Sequence, residues 1–133
     1  MNKYEQQAQA FLDKHGLTFK ATYDRFGRYF ADDTESRSIF LLTLTERRTR
    51  RSYSTRFGAS IVMTRENTVP TAYDLLACVT KSDPGTFEDF CGEYGYDTDS
   101  RSAEKTYKSV RRDWHRIERF FSAEQIDELQ EIN

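Results

Sequence analysis

The hydrophobic period of the chain changes near Pro70, and this change limits the folds that the sequence can adopt. Before Pro70, apolar residues alternate with polar ones, which is typical of half-buried strands. After it they recur every three or four residues, which is typical of amphipathic helices. The longest such stripe comprises Ala103, Tyr107, Val110, Trp114, Ile117 and Phe121. The two periods predict an α+β fold, with a small antiparallel sheet followed by helices.

The half of the chain before Pro70 predicts one helix and about three strands. A helix over 2–14 should end at Gly16, because glycine accepts the left-handed conformation that follows a helix. We expect strands over 17–23, 38–45 and 51–57, a loop over 24–37, and either an edge strand or a turn at 61–63. The second and third strands form a hairpin that ends at Gly58, and the apolar 38–45 segment is the central strand.

The half after Pro70 predicts four helices. They lie near 71–80, from Asp83-Pro84 to Gly95, over 101–121 and over 123–132. The starts are indicated by Thr71 with Asp74, by an acid followed by proline, and by Ser122 with Gln125. A length of 133 residues predicts a single domain over 1–133, made of a helix and sheet over 1–66 and a helical lobe over 67–133.

Charge divides unevenly between these halves. Residues 1–66 carry 12 basic and 8 acidic side chains, whereas residues 67–133 carry 8 basic and 14 acidic ones. The net charge of -2 is therefore the sum of a positively charged half and a negatively charged half. The basic candidates for partner binding are four arginines at the predicted hairpin turn and one in the strand after it: Arg47, Arg48, Arg50, Arg51 and Arg56. Between positions 83 and 104 there are seven acids and only Arg101 as a basic residue: Asp83, Glu88, Asp89, Glu93, Asp97, Asp99 and Glu104.

Each charged group has a functional and a plain structural interpretation. Arginines at a hairpin turn can bind phosphates or carboxylates in bidentate fashion, or they can simply protect an exposed sheet edge. Carboxylates on helices can imitate a phosphate backbone, or they can form an ordinary solvated face; the candidates are Glu88, Asp89, Glu93, Asp97 and Asp99. The sequence pI of 5.7 disfavours a dedicated nucleic-acid binder without excluding a local basic patch.

Nothing in the sequence predicts catalysis, a cofactor or a metal. The GxSxG, HExxH and P-loop patterns are absent, and His15 and His115 fit structural roles at helix positions. Cys78 and Cys91 are expected to be reduced core residues. No apolar run is long enough to span a bilayer and no signal peptide precedes the first helix, so we expect a cytoplasmic protein without membrane contact.

Three segments resemble a small uncharacterised family of bacteriophage and mobile-element proteins. They are PTAYDLLACVT at 70–80, DPGTFEDFC at 83–91 and GYDTDS at 95–100, and the similar layout of the N-terminal helix and hairpin extends the resemblance over the chain. The resemblance implies a viral setting, in which accessory genes of this size often encode inhibitors of host defence, anti-CRISPR proteins among them.

Together these features predict a non-enzymatic phage or mobile-element protein that acts in the cytoplasm of a bacterial host cell. It would bind and inhibit a host nucleic-acid-handling complex such as a CRISPR effector. The alternative is a small nucleic-acid-binding module that uses the hairpin turn Arg47–Arg51, and an unrecognised enzyme is a third hypothesis.

Overall fold

The computed structural model describes residues 2–28, 35–59 and 69–132. In chain order its elements are α1 (Lys3–His15), β1 (Leu17–Arg28), β2 (Ser36–Glu46), β3 (Ser52–Ala59), α2 (Ala72–Thr80), α3 (Phe87–Tyr94), α4 (Arg101–Phe120) and α5 (Ala123–Glu131). The predicted α+β fold is therefore confirmed, with helix, antiparallel sheet and further helices in the expected order. Among the described helices, none has the length and apolar character needed to cross a membrane.

The three strands form an antiparallel sheet in the order β1-β2-β3, so the apolar 38–45 segment is central, as predicted. On one face of the sheet, a row of Phe19, Leu44 and Tyr53 lies beside a row of Ala21, Leu42 and Thr55. The opposite face is polar near the hairpin turn, where the Thr43 and Ser54 hydroxyls lie 3.0 Å apart. Helix α1 contacts β1 and buries Ala8, Phe11 and Leu12. It ends at Gly16, whose φ of 65° is the predicted left-handed conformation.

The sheet extends further than the sequence indicates. Residues 24–28 and 36–37 belong to β1 and β2 instead of the expected loop, because Arg25 to Arg28 pair with Ile39 to Ser36. The register shifts between Tyr23 and Arg25, so Asp24 is an extra residue in a β-bulge. Strand β3 continues through Gly58, which pairs with Ile39, to the buried Ala59. The expectation for 61–63 lies outside the described residues.

Contacts divide the chain into two compact units, residues 1–77 with 132–133 and residues 78–131. We call them the sheet unit and the helical unit. The core of the sheet unit contains Leu12, Leu17, Ile39, Leu42 and Leu44. The helical unit has a core of Phe90, Cys91, Ala103 and Tyr107, against which Phe87 and Val110 pack.

Helix α3 starts three residues later than Asp83-Pro84 predicts. The Asp83 carboxylate accepts the Gly85 N–H at 3.0 Å, and Gly85 has a φ of 65°, so the chain turns here instead of entering a helix. Thr86 is the true N-cap, since its hydroxyl accepts the Asp89 N–H at 3.1 Å. The Tyr107 hydroxyl donates to the Gly85 carbonyl at 2.8 Å and fixes this loop to α4.

The apolar stripe of α4 faces the interior as predicted. Ala103, Tyr107 and Ile117 are buried along it, and Phe121 is buried just after the helix ends. The capping box before α5 is also confirmed, because Ser122 and Gln125 exchange hydrogen bonds of 2.9 and 3.1 Å. Thr71 and Asp74 make only half of such a box: the carboxylate accepts the Thr71 N–H at 2.7 Å, but the hydroxyl donates to the same carboxylate.

Candidate interaction surfaces

The arginine tip, which we define as Arg47, Arg48, Arg50 and Arg51, is the turn between β2 and β3. The turn is closed by the Glu46 N–H donating to the Arg51 carbonyl at 2.8 Å and the Arg50 N–H donating to the Glu46 carbonyl at 2.9 Å. Arg50 has a φ of 64°, a left-handed conformation that normally favours glycine or asparagine. All four residues are exposed.

The side chains of the arginine tip differ in how they are held. Arg47 donates through Nε to the Thr18 hydroxyl at 3.3 Å, and its N–H donates to the Gly16 carbonyl at 3.0 Å, which anchors it to the start of β1. Arg48 and Arg50 form no ion pair within the described part of the sheet unit. The arginine tip therefore presents at least two guanidinium groups that no carboxylate in the described part of the sheet unit neutralises.

Arg56 does not belong to this group. It pairs with Leu41 on β2 and lies five positions after Arg51, a distance of about 17 Å at about 3.4 Å per residue. Its Nε lies 3.3 Å from the Asp24 carboxylate at the β1 bulge. The structure thus brings four of the five predicted arginines together and places the fifth on the sheet.

The acidic segment, residues 83–99, carries six exposed carboxylates on α3 and the loops at its two ends: Asp83, Glu88, Asp89, Glu93, Asp97 and Asp99. Helix α3 buries Phe90 and Cys91 and leaves its acids on the outside. Asp83 and Asp97 accept the backbone N–H groups of Gly85 and Asp99. Residues 78–131 are all described, and within them none of the six carboxylates forms an ion pair with Lys or Arg. The seventh acid, Glu104, differs because it pairs with Lys108 at 3.2 Å.

Two exposed tyrosines accompany the acidic segment. Tyr94 is 60% exposed and Tyr96 41% exposed, yet both rings are held by Phe90, with centroid distances of 5.0 and 5.7 Å. They line a depression of about 570 Å³ together with Asp83 and Glu93, and Lys81 also lines it. An aromatic surface with two carboxylates beside it is suited to anchoring a partner with basic side chains.

The groups that could react differ in exposure: Cys91 is buried as expected, but Cys78 is exposed, so the expectation that it is a core residue is wrong. Burial raises the pKa of the Cys91 thiol, and the Asp97 carboxylate raises it further, so Cys91 is not a thiolate at neutral pH. The Nδ1 atom of His115 lies 3.3 Å from Glu118, and the His15 ring contacts Phe11 at 4.7 Å. In residues 2–28, 35–59 and 69–132, no three His, Cys, Asp or Glu side chains are grouped so as to hold a metal ion. The absence of enzymatic activity stays a prediction.

The structure also shows a surface that the sequence analysis missed. Opposite the apolar stripe of α4, cationic residues recur with spacings of four, three, four, four and three, and all of them are exposed: Arg101, Lys105, Lys108, Arg112, Arg116 and Arg119. We call this set the basic ridge. The signal was available, because the spacings match those of the apolar stripe half a turn away. The basic ridge was missed because residues 67–133 as a whole carry a net negative charge.

Comparison of the chain with known protein families, with curated proteins and with solved structures finds no match. The similarity to a phage protein family therefore stays a prediction, and function has to be argued from these three charged surfaces.

Proposed function

We propose that the protein is a non-catalytic phage or mobile-element accessory protein that acts in the cytoplasm of a bacterial host. It binds and inhibits a nucleic-acid-handling defence complex of that host, in the manner of an anti-CRISPR protein. The observation that carries the proposal is the acidic segment, whose six exposed carboxylates lack basic partners in their own unit and lie next to two exposed tyrosines.

The electrostatics of the acidic segment favour a partner that normally binds a phosphate backbone. CRISPR effectors hold a guide–target duplex in a positively charged channel and recognise its backbone rather than its sequence. Carboxylates spread along α3 and its flanking loops present such a channel with repeated negative charges. Because no cation of the helical unit has to be displaced, the carboxylates are available for long-range attraction, which increases association rates.

Tyr94 and Tyr96 supply binding affinity that the carboxylates alone do not. Interfaces gain most of their affinity from a few desolvated aromatic or arginine anchors, whereas charges at the rim contribute mainly to specificity and rate. Packing against Phe90 pre-orders both rings, so less side-chain entropy is lost when a partner covers them.

The test is inhibition of DNA cleavage by a panel of purified CRISPR effectors. We expect the wild-type protein to inhibit at least one effector, and inhibition to weaken as salt is raised. The variant E93Q/D97N/D99N should lose at least tenfold in potency. The matched control E124Q/D127N/E131Q removes the same charge from α5 and should retain full potency. Equal losses in the two variants, or no inhibition across the panel, would contradict the proposal.

A second candidate is a nucleic-acid-binding module that uses the arginine tip, and one observation favours it. Arg50 occupies a left-handed position at which glycine would be unstrained, and strained residues of this kind are enriched at functional sites. Binding to a fluorescent oligonucleotide should weaken in R48A/R50A and persist in R25A/R28A, which removes equal charge at the other end of the sheet. Equal binding by both double variants would exclude the arginine tip as the contact.

A further inference from the structure

The basic ridge of α4 is the largest charged feature that the proposed function leaves unexplained. We propose that it is a docking surface for the phosphate backbone of a nucleic-acid duplex. The inference does not rest on the inhibitor proposal, because it uses a different face of the helical unit and a different ligand.

The dimensions of the basic ridge suit a duplex. Arg101 and Arg119 are 18 residues apart, which is about 27 Å along an α-helix at about 1.5 Å per residue. That length matches the rise of about eight base pairs, since B-DNA advances about 3.4 Å per pair. The ridge cations lie on one side of a continuous helix, so they can face the phosphates that border one groove of a duplex.

Half of the cations on the basic ridge have no carboxylate partner within the helical unit, and two of the others form exposed ion pairs. Helix α4 carries seven basic and three acidic side chains. Within residues 78–131, Arg101, Lys105 and Arg112 have no carboxylate partner. Lys108 pairs with Glu104 at 3.2 Å and Arg116 with Asp113 at 3.8 Å, but every one of these side chains is more than half exposed. Such exposed pairs contribute little free energy and exchange readily for phosphate contacts.

The position of Arg101 is a further indication that the basic ridge has a function other than helix stability. Arg101 is the first residue of α4, directly after the N-cap Ser100. A cation at a helix N-terminus opposes the helix dipole and costs a few tenths of a kcal/mol. Replacing Arg101 with a neutral residue should therefore not destabilise the fold, which makes it a suitable position for testing binding alone.

A lipid surface is a less suitable ligand than a duplex. An interfacial amphipathic helix inserts its apolar face into the headgroup region. The apolar face of α4 is already covered, since Ala103, Tyr107 and Ile117 are buried. Only the charged face remains, and it provides no apolar side chain to insert.

A protein partner is also less suitable for this face. Protein interfaces usually have an apolar or aromatic centre inside a polar rim, and the basic ridge consists of cations alone. Protein–nucleic acid interfaces are, by contrast, polar and strongly positive. The acidic segment of the same unit repels phosphate, so it restricts how a duplex can approach α4.

The experiment is fluorescence anisotropy with a labelled 20-base-pair DNA duplex and an RNA duplex of matched sequence, titrated over a range of salt concentrations. If all six cations contact phosphate, the logarithm of the binding constant should fall with the logarithm of salt at a slope of about -5. The variant R101Q/K105Q/R112Q should bind at least tenfold more weakly at low salt, with the slope reduced by about 3. Comparing the two duplexes shows whether DNA or RNA is preferred.

Matched variants make the outcome decisive. K20Q/R25Q/R28Q removes the same charge from exposed positions of the sheet unit outside the arginine tip, and should leave duplex binding unchanged. Urea unfolding of both variants should show changes within about 0.5 kcal/mol, since the altered side chains are exposed. Undiminished duplex binding by the ridge variant would overturn the inference. So would an equal loss in the K20Q/R25Q/R28Q control, or binding to phosphatidylserine vesicles without binding to either duplex.

Discussion

The hydrogen bond from Tyr107 to the loop before α3 allows a quantitative test of how the acidic segment is positioned. The Tyr107 ring is buried against Phe87 and Phe90, with centroid distances of 5.3 and 5.4 Å. Its hydroxyl donates to the Gly85 carbonyl at 2.8 Å. The variant Y107F keeps the ring and its packing and removes only this bond. An intramolecular hydrogen bond contributes about 0.5–1.5 kcal/mol net.

Gly85 is exposed, so water can hydrate its carbonyl once the hydroxyl is gone, and the larger penalty for a buried unpaired group does not apply. We therefore expect Y107F to lower the free energy of unfolding by about 1 kcal/mol. With a urea m-value of about 2 kcal/mol per molar, the midpoint should shift by about 0.5 M.

A matched variant separates the hydrogen bond from the general effect of removing a tyrosine hydroxyl. Tyr94 belongs to the same aromatic group through Phe90 but is 60% exposed, so Y94F should change the free energy by less than about 0.5 kcal/mol. The measurement is urea unfolding followed by far-UV circular dichroism. Equal midpoints for Y107F and the wild type, or equal shifts for the two variants, would refute the argument that this bond fixes the loop.

Three further predictions concern individual residues. R50G should raise the free energy of unfolding by about 0.5 kcal/mol in urea unfolding, because relief of left-handed strain outweighs the extra entropy of glycine in the unfolded chain. Iodoacetamide should alkylate the exposed Cys78 in the native protein and the buried Cys91 only after unfolding, which intact-mass spectrometry can count; double alkylation of the native protein would contradict this. Because the pKa of Cys91 is raised above the ordinary thiol value of 9.0, the unfolded state loses this proton first as pH rises. Stability should therefore fall as pH rises through that range, and less steeply in C91A.

Local sequence rules predicted those elements whose signals agree with one another. The central strand, the end of α1 at Gly16 and the capping box of Ser122 and Gln125 all combined an apolar pattern with a compatible boundary residue. The rules failed where one side chain can cap either of two local structures. Asp83 before Pro84 satisfies the rule for a helix start, but its carboxylate caps a turn at Gly85, and Thr86 begins the helix instead.

Long-range pairing explains the remaining errors in the fold. The segment 24–28 contains glycine and charged residues and has no alternation, so it indicates a loop when considered alone. It becomes strand because β2 offers paired backbone groups up to Ser36. The bulge at Asp24 accommodates the change of register and places the Asp24 carboxylate 3.3 Å from the Arg56 Nε atom. Arg56 therefore lies on the sheet and not with the four arginines to which its sequence position had assigned it.

The charged surfaces were predicted less well than the fold, because counting charges by segment ignores the side of a helix on which each charged residue lies. The arginine tip was found since its members are adjacent in sequence, and the acidic segment since it almost lacks cations. The basic ridge is distributed over a whole helix and is outnumbered by acids elsewhere in the same half of the chain. When the charged residues are tested for helical periodicity, as the apolar residues were, the basic ridge is distinguished from the acids in the same half of the chain.

The acidic segment and the basic ridge belong to one small unit, so neutralising one should change binding at the other in a predictable direction. At 0.01 M ionic strength the Debye length is about 30 Å, so carboxylates anywhere on the unit repel a duplex that approaches α4. The variant E93Q/D97N/D99N should therefore bind DNA more tightly than the wild type at low salt, while losing inhibition of its protein partner. At 0.15 M, where the Debye length is about 8 Å, the gain should shrink strongly. Weaker duplex binding by this variant at low salt would mean that the carboxylates support the duplex contact instead of opposing it, and the assignment of the two surfaces to different ligands would fail.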